Sequence, residues 1–146
     1  MSREDAKVRK AAGAKERDEN AIATLVVDAA YRIHTTLGPG LLESVYERLL
    51  EYELRELGLT VRCEVSLPVE YGALRIEEGY RIDMLVDEKV IVELKSVERT
   101  APVHAKQLLT YLRLADKRLG LLVNFGAATI KEGVTRVVNG LAEPAR

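Results

Sequence analysis

Three charged side chains within one short stretch are of the types that could do chemistry together. Residues 80 to 96 read YRIDMLVDEKVIVELKS, two runs rich in Ile, Val, Leu and Met interrupted by Asp87, Glu88 and Lys89. That pattern predicts two antiparallel strands joined by a tight turn. Side chains alternate between the two faces of a strand. Glu93 and Lys95 therefore share one face of the second strand with Ile91, while Val90, Val92 and Leu94 share the other. On the first strand Ile82, Met84 and Val86 are expected to point one way and Asp83 the other, with Arg81 and Leu85. A two-residue turn would pair Asp83 with Val92, whereas a three-residue loop over Asp87, Glu88 and Lys89 sets Asp83 across from Glu93. The turn lacks the Asn-Gly or Asp-Gly that a two-residue hairpin favours, so the three-residue loop or an equivalent bulge is expected. Two carboxylates would then oppose each other with Lys95 two residues on, which costs stability unless a cation sits between them.

An Asp on one strand followed by Glu-x-Lys on the next, here Asp83, Glu93, Leu94 and Lys95, resembles the metal site of the PD-(D/E)-x-K nuclease superfamily. Ile82 stands where the superfamily name has Pro. Gln107-x-x-x-Tyr111, on a predicted helix, is similar to the Gln-x-x-x-Tyr element of the exonuclease branch of that superfamily. Gly40-Leu41-Leu42-Glu43-Ser44-Val45-Tyr46 matches the Gly-x-x-Glu-x-x-Tyr signature of a group of small bacterial and archaeal proteins, the GxxExxY family. By motif order the resemblance runs from about Ala21 to Asn139. It implies an α/β fold with a restriction-endonuclease-like core, a mixed central β-sheet flanked by α-helices. It also implies that Asp83, Glu93 and the carbonyl of Leu94 hold Mg²⁺ or Mn²⁺, with Glu43 joining directly or through water. Lys95 would orient or deprotonate the attacking water or stabilise charge on the phosphate, and Gln107 and Tyr111 would fix Lys95 and the scissile phosphate by hydrogen bonds. The implied reaction is metal-dependent hydrolysis of phosphodiester bonds in DNA, with RNA the second choice. Two readings compete: a non-catalytic module that binds nucleic acid or protein on the same fold, and a surface salt-bridge ladder of Asp83, Glu93 and Lys95. The intact polar set argues against the first, and the Gln-x-x-x-Tyr helix would be a coincidence under the second.

These side chains need a scaffold, and the flanking sequence supplies one. Ile22, Leu25, Val26, Ala29 and Ile33 recur at helical spacing until Gly38-Pro39-Gly40 ends the helix, with His34 in its last turn. His34 is either a helix-end histidine favoured by the dipole or a residue at the rim of the site. A second helix is expected from Leu41 to Leu57, with Leu42, Val45, Leu49 and Tyr52 as its buried stripe, widened by Leu50, Leu54 and Leu57. Glu43 falls in its first turn, where the helix dipole favours a carboxylate whatever else it does. Strands are expected at Thr60 to Leu67, Val69 to Tyr71 and Leu74 to Ile76, with a turn at Gly72-Ala73. A helix opened by Pro102 runs to about Asp116, placing His104, Gln107, Leu108 and Tyr111 on one face and Leu109 and Leu112 toward another. Leu121 to Phe125 reads as a buried strand parallel to the Glu-x-Lys strand, and Val134 to Val138 as an edge strand.

The chain has 146 residues, 47% hydrophobic and 31% charged, which suits a charged N-terminal arm or helix over 1–19 and one domain over 20–146. A formal net charge of −1 makes the protein as a whole no electrostatic magnet for nucleic acid. Between Lys95 and Arg118, however, six basic residues face two acidic ones, beside the proposed metal site and where a phosphate backbone would lie. The lone Cys63 forms no internal disulfide and fits a reducing cytoplasm. No apolar run is long enough to cross a membrane. A homodimer is left open, with no residue marking its interface.

Overall fold

The computed structural model describes residues 16–142; the expected charged arm lies outside them over residues 1–15, as does the end of the tail over residues 143–146. Helix α1, Glu19–Leu37, starts where the Asp18 side chain accepts the Ala21 N–H and stops at Gly38, whose φ of 74° ends helical geometry. Helix α2 covers Glu43–Glu56. Strands β1 (Val61–Tyr71), β2 (Leu74–Val86) and β3 (Val90–Lys95) follow, then α3 (Pro102–Ala115), β4 (Leu119–Asn124), the short α4 (Ile130–Gly133) and β5 (Val134–Val138). The five strands form one sheet in sequence order, antiparallel except for the parallel pair β3 and β4. That pair is linked through α3, as a parallel connection requires.

Val86 pairs with Val90, so the β2–β3 loop is three residues long, as the absence of a two-residue hairpin signal implied. Asp87 and Glu88 take φ of 51° and 56° to make it. The Asp87 carboxylate accepts the backbone N–H of Thr60 at 2.8 Å and its hydroxyl at 3.2 Å, tying this turn to the start of β1.

Each face of the sheet carries its own core. Met84, Val86, Val90, Val92 and Leu94 pack with α1 and α2 through Ile22, Val26, Tyr46 and Leu50. On the other face Leu85, Ile91 and Leu122 pack with Leu108 and Leu112 of α3. Helices on both faces of a mixed sheet make this a restriction-endonuclease-like α/β fold.

The structure corrects several expected faces. The buried residues of α2 are Tyr46, Leu50 and Leu54: Leu50 and Leu54 lie inside as expected, but the main stripe does not, for Leu42 is 73% and Tyr52 56% exposed. The helix has apolar residues on two faces, and periodicity alone does not say which one the fold takes inward. Leu112 lies beside Leu108 rather than toward another face, and Leu141, past the last strand, packs against the core. Ile82 packs with Leu85 rather than with Met84 and Val86. On β1 the same change occurs between Cys63, on the α1 and α2 side, and Val65, on the α3 side. Both strands therefore roll over at one level, that of Glu64 and Asp83, and Glu64 has the left-handed φ of 53° that such a break in alternation needs.

A second irregularity sits farther out on the same hairpin. From Tyr71↔Leu74 to Val69↔Ile76 the pairing follows the Gly72-Ala73 turn, but from Leu67↔Tyr80 inward it is shifted by two residues. Pro68, which has no N–H to give the ladder, stands opposite the excursion of Glu77, Glu78 and Gly79. A Cβ on Gly79 would lie 2.4 Å from the Val69 side chain, so the excursion requires glycine there.

Candidate functional site

Where β2 and β3 stop pairing, side chains take over the backbone bonds. The Asp83 N–H donates to Glu93 Oε1 at 3.0 Å, and the Leu94 N–H donates to Asp83 Oδ2 at 2.8 Å. This reciprocal pair holds the two carboxylates against the fork between the strands. Glu93 is only 8% exposed, and burial followed by the neighbouring Asp83 charge pushes its pKa up to about 8.

Two further acids complete a cluster. Carboxylate oxygens of Glu47, Glu64 and Asp83 lie within 4.8 Å of one another. Burial, then hydrogen bonding to Glu64, then the charges around it push Glu47 up to about 7. Neither Glu47 nor Glu64 was expected at the site. Glu47 follows Glu43 by one helical turn and could have been found on that spacing. Glu64 could not, because its place depends on the register shift. Counting ladder pairs inward from Tyr71↔Leu74 would set Arg62 opposite Asp83, whereas the flanking pairs Cys63↔Met84 and Val65↔Ile82 bracket Glu64 there.

The acids open onto a cavity of about 90 Å³ lined by Glu43, Ser44, Glu47, Glu64, Asp83 and Leu94. Glu43 brings α2 to the strand end: its Oε1 accepts the Ser96 N–H at 3.3 Å, and the Ser96 hydroxyl donates to Leu41 O at 2.6 Å. Tyr46, three residues on, is fully buried and stacked on Phe125 with ring centroids 4.2 Å apart. Its hydroxyl donates to Gly38 O at 2.6 Å and accepts the Leu41 N–H at 3.2 Å, while Gly40 takes φ 108°. The Gly-x-x-Glu-x-x-Tyr spacing thus has a mechanical basis, in which the Tyr anchors the turn that aims the Glu.

Lys95 ends β3 half-buried beside Glu93, and its carbonyl accepts the Phe125 N–H at 2.9 Å. The segment after it is clamped by Asn124, which with Glu93 is one of two buried polar residues among those described. Asn124 Oδ1 accepts the N–H groups of Val97 at 3.1 Å and Gly126 at 3.0 Å, and Nδ2 donates to Val97 O at 2.9 Å. A Cβ on Gly126 would fall 2.2 Å from Val97 O, so only glycine permits this close approach.

On the α3 side, Tyr111 stacks on Tyr80 at 4.9 Å. Burial first, then the charges of Glu93 and Asp83, raise the Tyr111 pKa, which places it within electrostatic reach of the acids. Gln107 is exposed, and among the described residues no hydrogen bond joins Gln107 or Tyr111 to Lys95. His34 stands away from the acids: Nε2 donates to Ala127 O at 2.9 Å and steadies the loop after β4. A wider cavity of about 560 Å³ lies past the C-terminal ends of β3 and β4, bordered by Arg99, Thr100 and Asn124, and shares no lining residue with the acidic one.

A mixed sheet between helices, with carboxylates gathered where its central strands part, defines a nuclease-type α/β domain. The family model of the PD-(D/E)XK nuclease superfamily matches residues 20–137, and the chain belongs to that superfamily. Its nucleases typically use divalent metals. No curated protein and no solved structure matches the chain. Among the described residues no helix is long and apolar enough to cross a membrane.

Proposed function

We propose that this protein is a metal-dependent nuclease that hydrolyses phosphodiester bonds in DNA, with RNA the second choice, and that it belongs to the GxxExxY group within its superfamily. The observation that carries this is the meeting of Glu47 and Glu64 with Asp83 at the fork between β2 and β3. The donor set fits a hard divalent cation, for which carboxylate oxygens are the preferred ligands. Ligand oxygens on one Mg²⁺ ion stand at most about 4.2 Å apart, so the cluster needs only small side-chain adjustments to close around one. The values of Glu47 and Glu93, raised first by burial and then by neighbouring carboxyl groups, belong to acids whose charged form a bound cation would favour.

Mg²⁺ or Mn²⁺ would be held by Asp83, Glu93 and the Leu94 carbonyl, joined by Glu47 and Glu64 and, directly or through water, by Glu43. When bound, such an ion polarises a phosphoryl oxygen and lowers the pKa of water. Glu93 keeps Asp83 in place by accepting its N–H. Lys95 orients or deprotonates the attacking water or faces the charge growing on the phosphate. Tyr111 closes the α3 side, and Gln107, exposed on the same helix, meets the phosphate backbone. Arg99, Lys106 and Arg113 are exposed nearby and supply positive charge along its path. Cys63, its thiol pushed up to about 12 chiefly by burial, is an inert free thiol that fits a reducing cytoplasm.

The test is cleavage of double- and single-stranded DNA and of RNA with Mg²⁺ or Mn²⁺, together with calorimetric titration of the metal. Cutting that stops on chelation and falls about 100-fold or more in Asp83→Ala is expected. Nucleic-acid binding without cutting by any metal would convert the reading into the binding module. Loss of neither metal affinity nor activity in Asp83→Ala would overturn it.

A further inference from the structure

The stripe on α2 that the fold leaves outside has an order of its own. Leu42, Val45, Leu49 and Tyr52 are spaced three, four and three residues apart, the spacing of a helix-pairing seam. Leu42 is 73%, Val45 39% and Tyr52 56% exposed. Beside them Tyr31 and Leu37 of α1 are 60% and 50% exposed, and with Leu49 and Tyr52 they border a groove of about 430 Å³ between the two helices. Side chains of this size, exposed to this degree, make a patch as large as or larger than the ~300–600 Å² maximum of a typical monomer.

We infer that this surface is the interface of a homodimer, in which α2 of one copy packs parallel to α2 of the other. The argument for a second copy is chemical self-complementarity. Arg48 and Glu53 flank the seam on opposite sides and are five residues apart, the offset at which flanking charges meet across a parallel helix pair. Arg48 of each copy then meets Glu53 of the other, twice by symmetry. Arg48 is exposed and has no ion-pair partner among the described residues, while Glu53 already points along the surface, 3.3 Å from Arg32. Antiparallel packing would instead bring the two Arg48 side chains together. Two turns of seam are short for a coiled coil on their own, and the apolar rim from α1 widens the contact toward the ~800 Å² per partner of a standard interface. Both α2 N-termini, and so both acidic cavities, lie at the same end of such a dimer.

Sedimentation equilibrium on the full chain tests this, with a mass twice the 16.2 kDa of one copy expected at micromolar concentrations. Leu42→Asp is the decisive variant because Leu42 is the N-cap of α2 and makes no capping hydrogen bond. Asp there supplies the missing acceptor and should hold or raise the melting temperature of the single copy, while placing a charge in the seam and producing monomer. Arg48→Glu and Glu53→Arg should each weaken self-association about tenfold or more, and mixing the two should restore a dimer containing one of each. A wild type monomeric throughout, a dimer that persists in Leu42→Asp, or charge variants that do not recover on mixing would overturn the proposal.

Discussion

Glu93 is a carboxylic acid held where its charged form is disfavoured, and that has a consequence measurable without any substrate. From an ordinary value of 4.5, Glu93 is raised to about 8 and Glu47 to about 7. Between those values the folded chain binds more protons than the unfolded one, so the stability of the cation-free protein falls as pH rises from about 4.5 to about 8. Thermal melts across that window should show a declining Tm, and Glu93→Gln should flatten the decline. Glu43 makes a second test, because its two roles predict opposite signs. As a partner of the helix dipole alone, Glu43→Gln costs a few tenths to about 1 kcal/mol and leaves metal affinity unchanged. As a member of the acidic group, its neutralisation stabilises the cation-free protein and shrinks the Mg²⁺-induced rise in Tm, which is the expected outcome. At this scale the three-residue loop was enough to bring Asp83 and Glu93 together, but alternation breaks at the level of Asp83, so strand parity alone does not place its side chain. Glu64 was beyond reach, since its position follows from pairing partners that no local pattern encodes.

Among elements, the joint between β4 and the segment after β3 bears most directly on the site. Asn124 serves three backbone groups with one buried amide, so its removal leaves Val97 and Gly126 N–H and the Val97 carbonyl without partners. Asn124→Ala should therefore cost about 2–4 kcal/mol in denaturant unfolding. It should also depress cleavage by freeing the chain next to Lys95, an effect separable from unfolding by assaying well below the transition. The three long helices and the strand regions were legible from periodicity and from Gly and Pro positions, but not the short α4, nor the joining of the separately expected strands into the long β1 and β2. The inward face of α2 was legible only at Leu50 and Leu54, because that helix carries two apolar stripes, and the choice between Leu42-Val45-Leu49-Tyr52 and Tyr46-Leu50-Leu54 is made by Phe125, Gly38 and the sheet rather than by the helix itself.

For the whole molecule, the order of strands and helices was enough to predict the parallel strand pair, since such a pair needs a crossover and short hairpins do not, while the helices on both faces of a mixed sheet followed from the family resemblance. What that order did not contain is the two-residue excursion at Glu77, Glu78 and Gly79, far along the hairpin from the acids. Its arithmetic reaches the site all the same. Were Glu77 and Glu78 drawn into the ladder as paired residues, Arg62 rather than Glu64 would come opposite Asp83, and a guanidinium would satisfy the carboxylate in place of a cation. Removing both residues does the reverse: Pro68 then faces Gly79, Leu67 still faces Tyr80, and Glu64 stays opposite Asp83. Calorimetry on that double deletion should therefore show metal binding retained in a chain that still melts cooperatively. Two residues can be lost from this exposed ribbon without moving the acids, provided that both come from its unpaired side.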